Sequence, residues 1–158
     1  MEINLRNSKH LFLVFFGFLY FSCDTSLSYE TFREVDENAW NYSNEKKFLI
    51  PIKDVQPLEL SLAVRNTNKY QKANLWLFLS LRSPSGNLQR DTLNCLLADD
   101  YGYWLGDGFS GLYLTEHKMP HSISFDEIGD WELTVTHGMR EERIKGIREV
   151  GVLLRKKE

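Results

Sequence analysis

Hydrophobic and polar residues alternate with a period of two along much of the chain. In LELSLAVR at 58–65, leucine or valine fills nearly every second position, and WELTVTH at 131–137 repeats the pattern. This period is typical of a β-strand with one buried face. No stretch keeps a helical period over several turns. The pattern therefore predicts strands at residues 29–34, 48–52, 58–64, 75–81, 88–98, 112–114, 122–125, 131–137 and 149–154.

Many short strands separated by turns predict an all-β fold, namely a single-domain antiparallel β-sandwich resembling a jelly roll. SPSGN at 83–87 predicts a tight hairpin turn. Pro51 lacks a backbone N–H, so its strand is expected at a sheet edge or to end there. The run LWLFLSL at 75–81 has apolar residues on both faces, which predicts a central strand at least partly covered on both sides. The charged stretch 139–145 is expected to form a short helical turn.

The stretch from Leu11 to Cys23 carries no charge and follows the basic residues Arg6 and Lys9. A basic start, a short apolar run and a small residue before a cleavage point are typical of a secretory signal peptide. The run is shorter than the roughly 20 apolar residues that a membrane-spanning helix needs. Ser22 directly before Cys23 resembles a lipobox, which predicts cleavage at that bond and acylation of the cysteine. An ordinary signal peptide or an uncleaved anchor is the alternative.

Lipidation at Cys23 would divide the chain into three parts. Residues 1–22 would be a lipoprotein signal peptide, residues 23–28 the lipidated cysteine and a short tether, and residues 29–158 the β-sandwich domain. Several acyl chains anchor a protein firmly because each buried methylene contributes about 0.8 kcal/mol. The predicted partner is therefore a membrane, bound through Cys23, and the predicted location is the cell envelope, on the periplasmic side of the inner or outer membrane.

Charge argues against nucleic acid as a partner. The chain has 19 Lys plus Arg and 22 Asp plus Glu, a formal net charge of −3. Removal of residues 1–22 would make the mature chain more negative by one unit, whereas a phosphate-binding surface needs a basic field. With Cys23 lipidated, Cys95 would be the remaining cysteine. Its setting in NCLL at 94–97 predicts a buried thiol rather than a reactive one.

Catalytic and metal-binding constellations are hard to assemble from this sequence. His117 and His121 are four apart, but Pro120 between them prevents the shared helix face of a metalloprotease motif. Asp99, Asp100 and Asp107 could offer oxygen ligands to calcium, although their spacing is not that of a helix–loop–helix calcium site; solvated loop carboxylates are the simpler interpretation. We therefore predict no catalytic residue, no metal site and no cofactor.

The segment 99–111 is rich in both glycine and aromatic residues. It contains Tyr101, Tyr103 and Trp104, which together form the candidate binding surface, because exposed aromatic side chains bind sugars or partner proteins. The structural alternative is that the loop folds back and Trp104 closes one end of the sandwich.

Several short motifs occur together in the predicted domain: RNTN at 65–68, WLGDG at 104–108, GDWEL at 129–133, HGMR at 137–140 and GIREVG at 146–151. In this order, and after a lipobox cysteine, they resemble the gliding-motility lipoprotein family GldH of the Bacteroidota. The resemblance implies a membrane-anchored lipoprotein needed for gliding, which is tied to the type IX secretion system. It implies no enzymatic activity and carries over no catalytic residue.

The sequence therefore predicts a non-enzymatic lipoprotein that acts through contacts with other gliding or secretion proteins. A carbohydrate-binding β-sandwich lipoprotein of the cell envelope, with a glycan as partner, is the alternative. A hydrolase with a site that the sequence does not reveal is the third hypothesis.

Overall fold

The computed structural model describes residues 27–36, 39–121 and 123–157. The predicted signal peptide and the lipidation site at Cys23 lie outside these residues. Within them, no helix is long and apolar enough to cross a membrane. The described part of the chain is built from strands, which confirms the all-β prediction. They are β1 Leu27–Glu34, β2 Trp40–Asn41, β3 Lys46–Ile52, β4 Leu58–Thr67, β5 Asn74–Arg82, β6 Leu88–Leu96, β7 Asp107–Phe109, β8 Leu112–Lys118, β9 Gly129–His137, β10 Arg143–Ile144 and β11 Ile147–Lys156.

The strands form antiparallel sheets whose order is that of a jelly roll. One sheet has the order β1-β11-β4-β8-β7, a second has β3-β9-β5-β6, and the short β10 and β2 pair separately. The eight longer strands pair in a nested way, β1 with β11, β3 with β9, β4 with β8 and β5 with β6. A long hairpin rolled into two sheets has this nesting. The sandwich prediction is therefore confirmed.

The core lies between the two sheets and follows the period of two. In β3, every second side chain is buried, and in β5 the four leucines point inward. Trp40, Phe48 and Leu62 are among the largest completely buried side chains. Trp131 packs edge-on against Phe125, with ring centroids 5.1 Å apart. Cys95 is completely buried in β6, as its sequence setting predicts.

The two ends of the sandwich are formed by different strand termini. The proximal end is where β1 begins, with Leu27 opposite Arg155 and Leu58 opposite Lys156. The distal end is where β4 finishes, with Thr67 opposite Leu112. β4 has ten residues, so the two ends are about 30 Å apart at roughly 3.3 Å per residue.

Strand β5 is covered unequally on its two faces. It is an interior strand, paired with β6 and β9, but its outward face is not covered by another layer of described residues. Trp76 is 41% exposed and Phe78 is 52% exposed. The central position predicted for this strand is confirmed, and its outward face is covered only in part, because only its four leucines face the opposite sheet.

Two predictions change. Within 139–145, Arg143 and Ile144 form β10 and pair with β2, so the expected helical turn is wrong. Ile144 is buried, and its pairing with the completely buried Trp40 favours an extended backbone there. Residues 123–125 form no strand; Phe125 instead packs its ring into the core, and Ser122 lies outside the described residues. Pro51 does lie on an edge strand, since β3 pairs only with β9 in its sheet.

Candidate functional site

The glycine-rich segment folds as a defined loop at the distal end, and Asp99 organises its first turn. One carboxylate oxygen of Asp99 accepts hydrogen bonds from the backbone N–H groups of Tyr101 at 2.9 Å and Tyr103 at 2.8 Å. The N–H of Asp99 donates to the carbonyl of Tyr103, and Gly102 takes a φ of 86°. Asparagine and aspartate stabilise turns in this way, and glycine tolerates the positive φ.

This role for Asp99 bears on the calcium hypothesis. Its carboxylate binds the loop's own backbone rather than standing open to a cation. No group of three or more His, Cys, Asp or Glu side chains that could hold a metal occurs in the described parts of the chain. The two histidines that are four residues apart have different surroundings. The ring nitrogen Nδ1 of His121 lies 3.2 Å from a carboxylate oxygen of Asp91. His117 is half-buried on β8, and burial lowers its pKa.

Trp104 holds the loop against the sandwich. Its indole N–H donates to the side-chain oxygen of Asn68 at 2.9 Å. Its ring lies beside that of Tyr113, with centroids 5.7 Å apart and planes tilted by 31°. The backbone of Trp104 also bridges Ala98. Trp104 therefore uses both its ring and its N–H to position the loop, and it is half-buried against the core.

The other aromatic side chains of the loop point to solvent. Tyr101 is 88% exposed and Tyr103 is 72% exposed, and Phe109 on the neighbouring β7 is 91% exposed. Leu105 and Leu112 are also exposed. We call these five residues the distal apolar surface. Exposed apolar groups gathered on one loop and hairpin are typical of a contact site.

Phe109 belongs to this surface, although the binding surface predicted from the sequence does not include it. It pairs with Leu112 across the two-residue turn of the β7–β8 hairpin. Ser110 and Gly111 both have positive φ, 56° and 80°, which defines a type I′ turn. Directly paired residues lie on one side of a hairpin, so Phe109 and Leu112 are neighbours. A Ser-Gly pair between apolar residues is the signal that could have indicated this turn.

Close backbone packing explains why the loop contains glycine before β7. A β-carbon on Gly106 would lie 2.6 Å from the carbonyl oxygen of Leu114 on β8. Real side chains do not approach so closely, so any other residue at position 106 would push the loop away from β8. The glycine therefore sets the loop's height above the sheet edge.

A second set of polar residues is buried nearby. His137 is buried at the end of β9, where its Nε2 lies 3.1 Å from the carbonyl oxygen of Trp40 and its ring meets the indole edge-on at 5.3 Å. Burial lowers the pKa of His137. The Asn66 amide is completely buried in β4 and has no hydrogen-bond partner among the described residues. Both residues face inward and support the distal end rather than presenting chemistry to solvent.

The fold thus defines a small jelly-roll domain that exposes several apolar side chains at one end. Comparison with known proteins gives its family. The model of the GldH lipoprotein family matches residues 27–154, and the chain belongs to this family.

Two curated relatives are similar over nearly their whole lengths. The gliding motility lipoprotein GldH homolog of Christiangramia forsetii is 27% identical over 161 residues, covering 96% of this chain and 98% of the relative. The gliding motility lipoprotein GldH of Flavobacterium johnsoniae is 26% identical over 164 residues, covering 99% and 100%.

Solved structures resemble the chain only distantly. A complex of the Aeromonas sobria serine protease with its chaperone has a TM-score of 0.34 and 13% identity, covering 84% of this chain and 27% of that one. Infectious bursal disease virus, strain Gx, has a TM-score of 0.32 and 14% identity, covering 82% and 29%. At these scores, neither likeness carries an argument about fold or function.

Proposed function

We propose that this protein is a non-enzymatic lipoprotein of the cell envelope that binds components of the gliding and type IX secretion machinery through its distal apolar surface. Membership of the GldH lipoprotein family and the names of the two relatives support a role in gliding. The observation that carries the proposal is the exposure of Tyr101, Tyr103 and Phe109 on a loop and hairpin that are held firmly in place.

The position of this surface fits an anchored adaptor. It lies at the distal end, whereas β1 begins at the proximal end, four residues after Cys23. A lipid on Cys23 would thus hold the proximal end to the membrane and turn the aromatic side chains away from it. Aromatic side chains are enriched among the residues that contribute most to protein–protein binding.

A pulldown from detergent-solubilised envelope tests the surface. Tyr101→Ala and Phe109→Ala, separately and together, are compared with the unsubstituted protein and with Ile128→Ala. Ile128 is a matched control because it is also exposed and apolar but lies at the proximal end, beside Gly129 opposite Ile52. We expect the double variant to reduce recovery of gliding or secretion components at least about tenfold, as loss of interface anchor residues does.

The controls decide the interpretation. Tyr101 and Phe109 are almost fully exposed, so their alanine variants are expected to fold normally, whereas Trp104→Ala would disturb the loop itself. Equal recovery with the double variant and with Ile128→Ala would refute the proposed contact surface.

The anchor is tested separately. Cys23→Ala is expected to release the protein from the membrane fraction and to abolish gliding, because the lipid is the proposed attachment. Normal gliding by cells that contain only the released, unlipidated protein would refute the anchored-adaptor proposal.

A further inference from the structure

The outward face of the four-stranded sheet carries two aromatic residues that the core does not require. Trp76 and Phe78 are two apart on β5, so they project from the same face of the sheet. An interior strand needs apolar residues only on its covered face, and the leucines of β5 already supply them. The exposed Trp76 and Phe78 therefore form an apolar platform that faces solvent.

A pair of amides lies beside this platform. Asn94 on β6 is directly opposite Trp76 in the register. The side-chain nitrogen of Asn74 donates to the side-chain oxygen of Asn94 at 2.7 Å. Each primary amide has two donor hydrogens and one acceptor oxygen, so this bond leaves the oxygen of Asn74 and the nitrogen of Asn94 able to bond a ligand. An acceptor and a donor thus stand next to an indole ring.

The chain after β9 builds a wall along one side of the platform. The N–H of Gly138 donates to the carbonyl of Trp76 at 2.7 Å, and the N–H of Trp76 donates to the sulfur of Met139 at 3.3 Å. A β-carbon on Gly138 would lie 2.7 Å from the ring of Phe78, so glycine lets the wall approach the ring. The platform and this wall border an open groove of about 420 Å³.

Ion pairing closes part of the rim of this groove. Lys72 and Glu141, which both line it, are paired at 2.7 Å, and hydrogen bonding from Lys72 lowers the pKa of Glu141. Arg140 also lines the groove, and its positive charge contributes to the lowered pKa of Glu141. Because these three charged residues act on one another at the rim, the aromatic platform and the amides are the groups that would select a ligand. Those groups are uncharged, so they favour a neutral ligand.

We propose that this face is a saccharide-binding site for a neutral oligosaccharide. A pyranose ring has an apolar face of C–H groups that stacks on an indole, and hydroxyls that both donate and accept. A vicinal diol matches the acceptor on Asn74 and the donor on Asn94. The groove volume lies within the range of about 300–1,000 Å³ that ligand sites occupy. An apolar protein surface placed on the platform would instead bury the remaining acceptor of Asn74 and the remaining donor of Asn94 without partners, which is costly.

Isothermal titration calorimetry tests the site. The full-length lipoprotein is purified in lauryldimethylamine oxide, a detergent without a sugar head group, and titrated with cellohexaose, chitohexaose, maltohexaose and mannohexaose. We expect at least one probe to bind with a Kd below about 1 mM. For that probe, Trp76→Ala is expected to raise the Kd at least about tenfold and Asn94→Ala about fivefold.

Matched variants distinguish loss of the binding site from misfolding. Trp76→Tyr retains a stacking ring and is expected to keep the Kd within about threefold of the unsubstituted protein. Thr134 lies on the same sheet face, on β9 and away from the groove, and Thr134→Ala is expected to change the Kd by less than about twofold. Tyr101→Ala is expected to bind sugar normally, which separates this site from the distal apolar surface. Thermal unfolding of each variant reports its fold.

Two results would overturn the proposal. One is a Kd above about 1 mM for all four probes. The other is sugar binding that Trp76→Ala and Asn94→Ala leave unchanged. If no sugar binds and Trp76→Ala instead weakens capture of a gliding or secretion component, the face is a protein contact and the saccharide site is refuted.

Discussion

Gly146 provides a test of how tightly the distal end is assembled. It lies between β10 and β11 with a φ of 88°, and a β-carbon there would be 2.1 Å from the backbone nitrogen of Tyr70. Its carbonyl accepts hydrogen bonds from the N–H of Thr67 at 2.7 Å and from the Thr67 hydroxyl at 3.3 Å. Gly146→Ala would therefore strain the backbone and push apart two segments of the distal end.

The expected loss of stability has two parts. A left-handed backbone conformation costs an alanine about 1–2 kcal/mol relative to glycine. Because the obstructing atoms are backbone, they must move, and overpacking of this kind costs about 1–3 kcal/mol more. Gly86→Ala is a matched control, since Gly86 also has a positive φ, 95°, but nothing lies within 4 Å of the added carbon. The stabilisation that alanine gains by restricting the unfolded chain, about 0.4–1 kcal/mol, is common to both variants and cancels.

Urea unfolding measures the difference. Both variants are made in the chain expressed without residues 1–22, and unfolding is followed by tryptophan fluorescence, since Trp40 is completely buried. We expect Gly146→Ala to lower the free energy of unfolding by about 1–3 kcal/mol more than Gly86→Ala does. Losses of unfolding free energy that agree within about 0.5 kcal/mol would refute the close approach of Gly146 to Tyr70, because urea unfolding detects differences larger than this.

Three buried polar groups give further predictions. Burial raises the pKa of the Cys95 thiol to about 12, so a thiol reagent at pH 8 should label it only after unfolding; rapid labelling of the native protein would contradict this. Asn66→Leu should raise the free energy of unfolding by about 1–3 kcal/mol, because it removes a buried amide without a described partner. A clear loss would show that the amide has a partner. Burial lowers the pKa of His137 in the folded protein. Below the unfolded pKa of about 6.5, the unfolded chain therefore binds a proton that the folded chain does not, and stability decreases as the pH decreases, by at most about 1.4 kcal/mol per pH unit. His137→Gln should reduce that slope between pH 6.5 and 5, and an unchanged slope would exclude His137 as its source.

The alternation of residues predicts the sandwich well, because burial between two sheets imposes a period of two directly. The leucines of β5 face inward as that period requires. The period does not reveal whether a second layer covers the other face, and for this reason the exposure of Trp76 and Phe78 was not predicted. The β2–β10 pair was missed for a different reason: two-residue strands are too short to show any period.

The candidate surface was predicted only in part. Glycine and aromatic content marked the loop, and Tyr101 and Tyr103 are exposed as a contact site requires. The sequence could not separate their role from that of Trp104, because the distinction depends on Asn68, a hydrogen-bond partner 36 residues away. The position of Phe109 depends on the β7–β8 hairpin, whose first strand is only three residues long. The local residue pattern alone is a weak guide to so short a hairpin.

The two candidate surfaces lie towards the same end of the domain, and this placement connects them. Asn74 opens β5 at the distal end, opposite Leu96, so the groove beside Trp76 lies near the end that carries the distal apolar surface. Leu27 lies four positions after Cys23, and a chain of that length spans at most about 14 Å. If Cys23 carries the lipid, the proximal end stays within that distance of the membrane while both surfaces lie towards the far end, up to about 30 Å further out. A domain tethered in this way could hold a protein partner and an envelope saccharide at the same time, because Phe109 and Trp76 lie on different sheets.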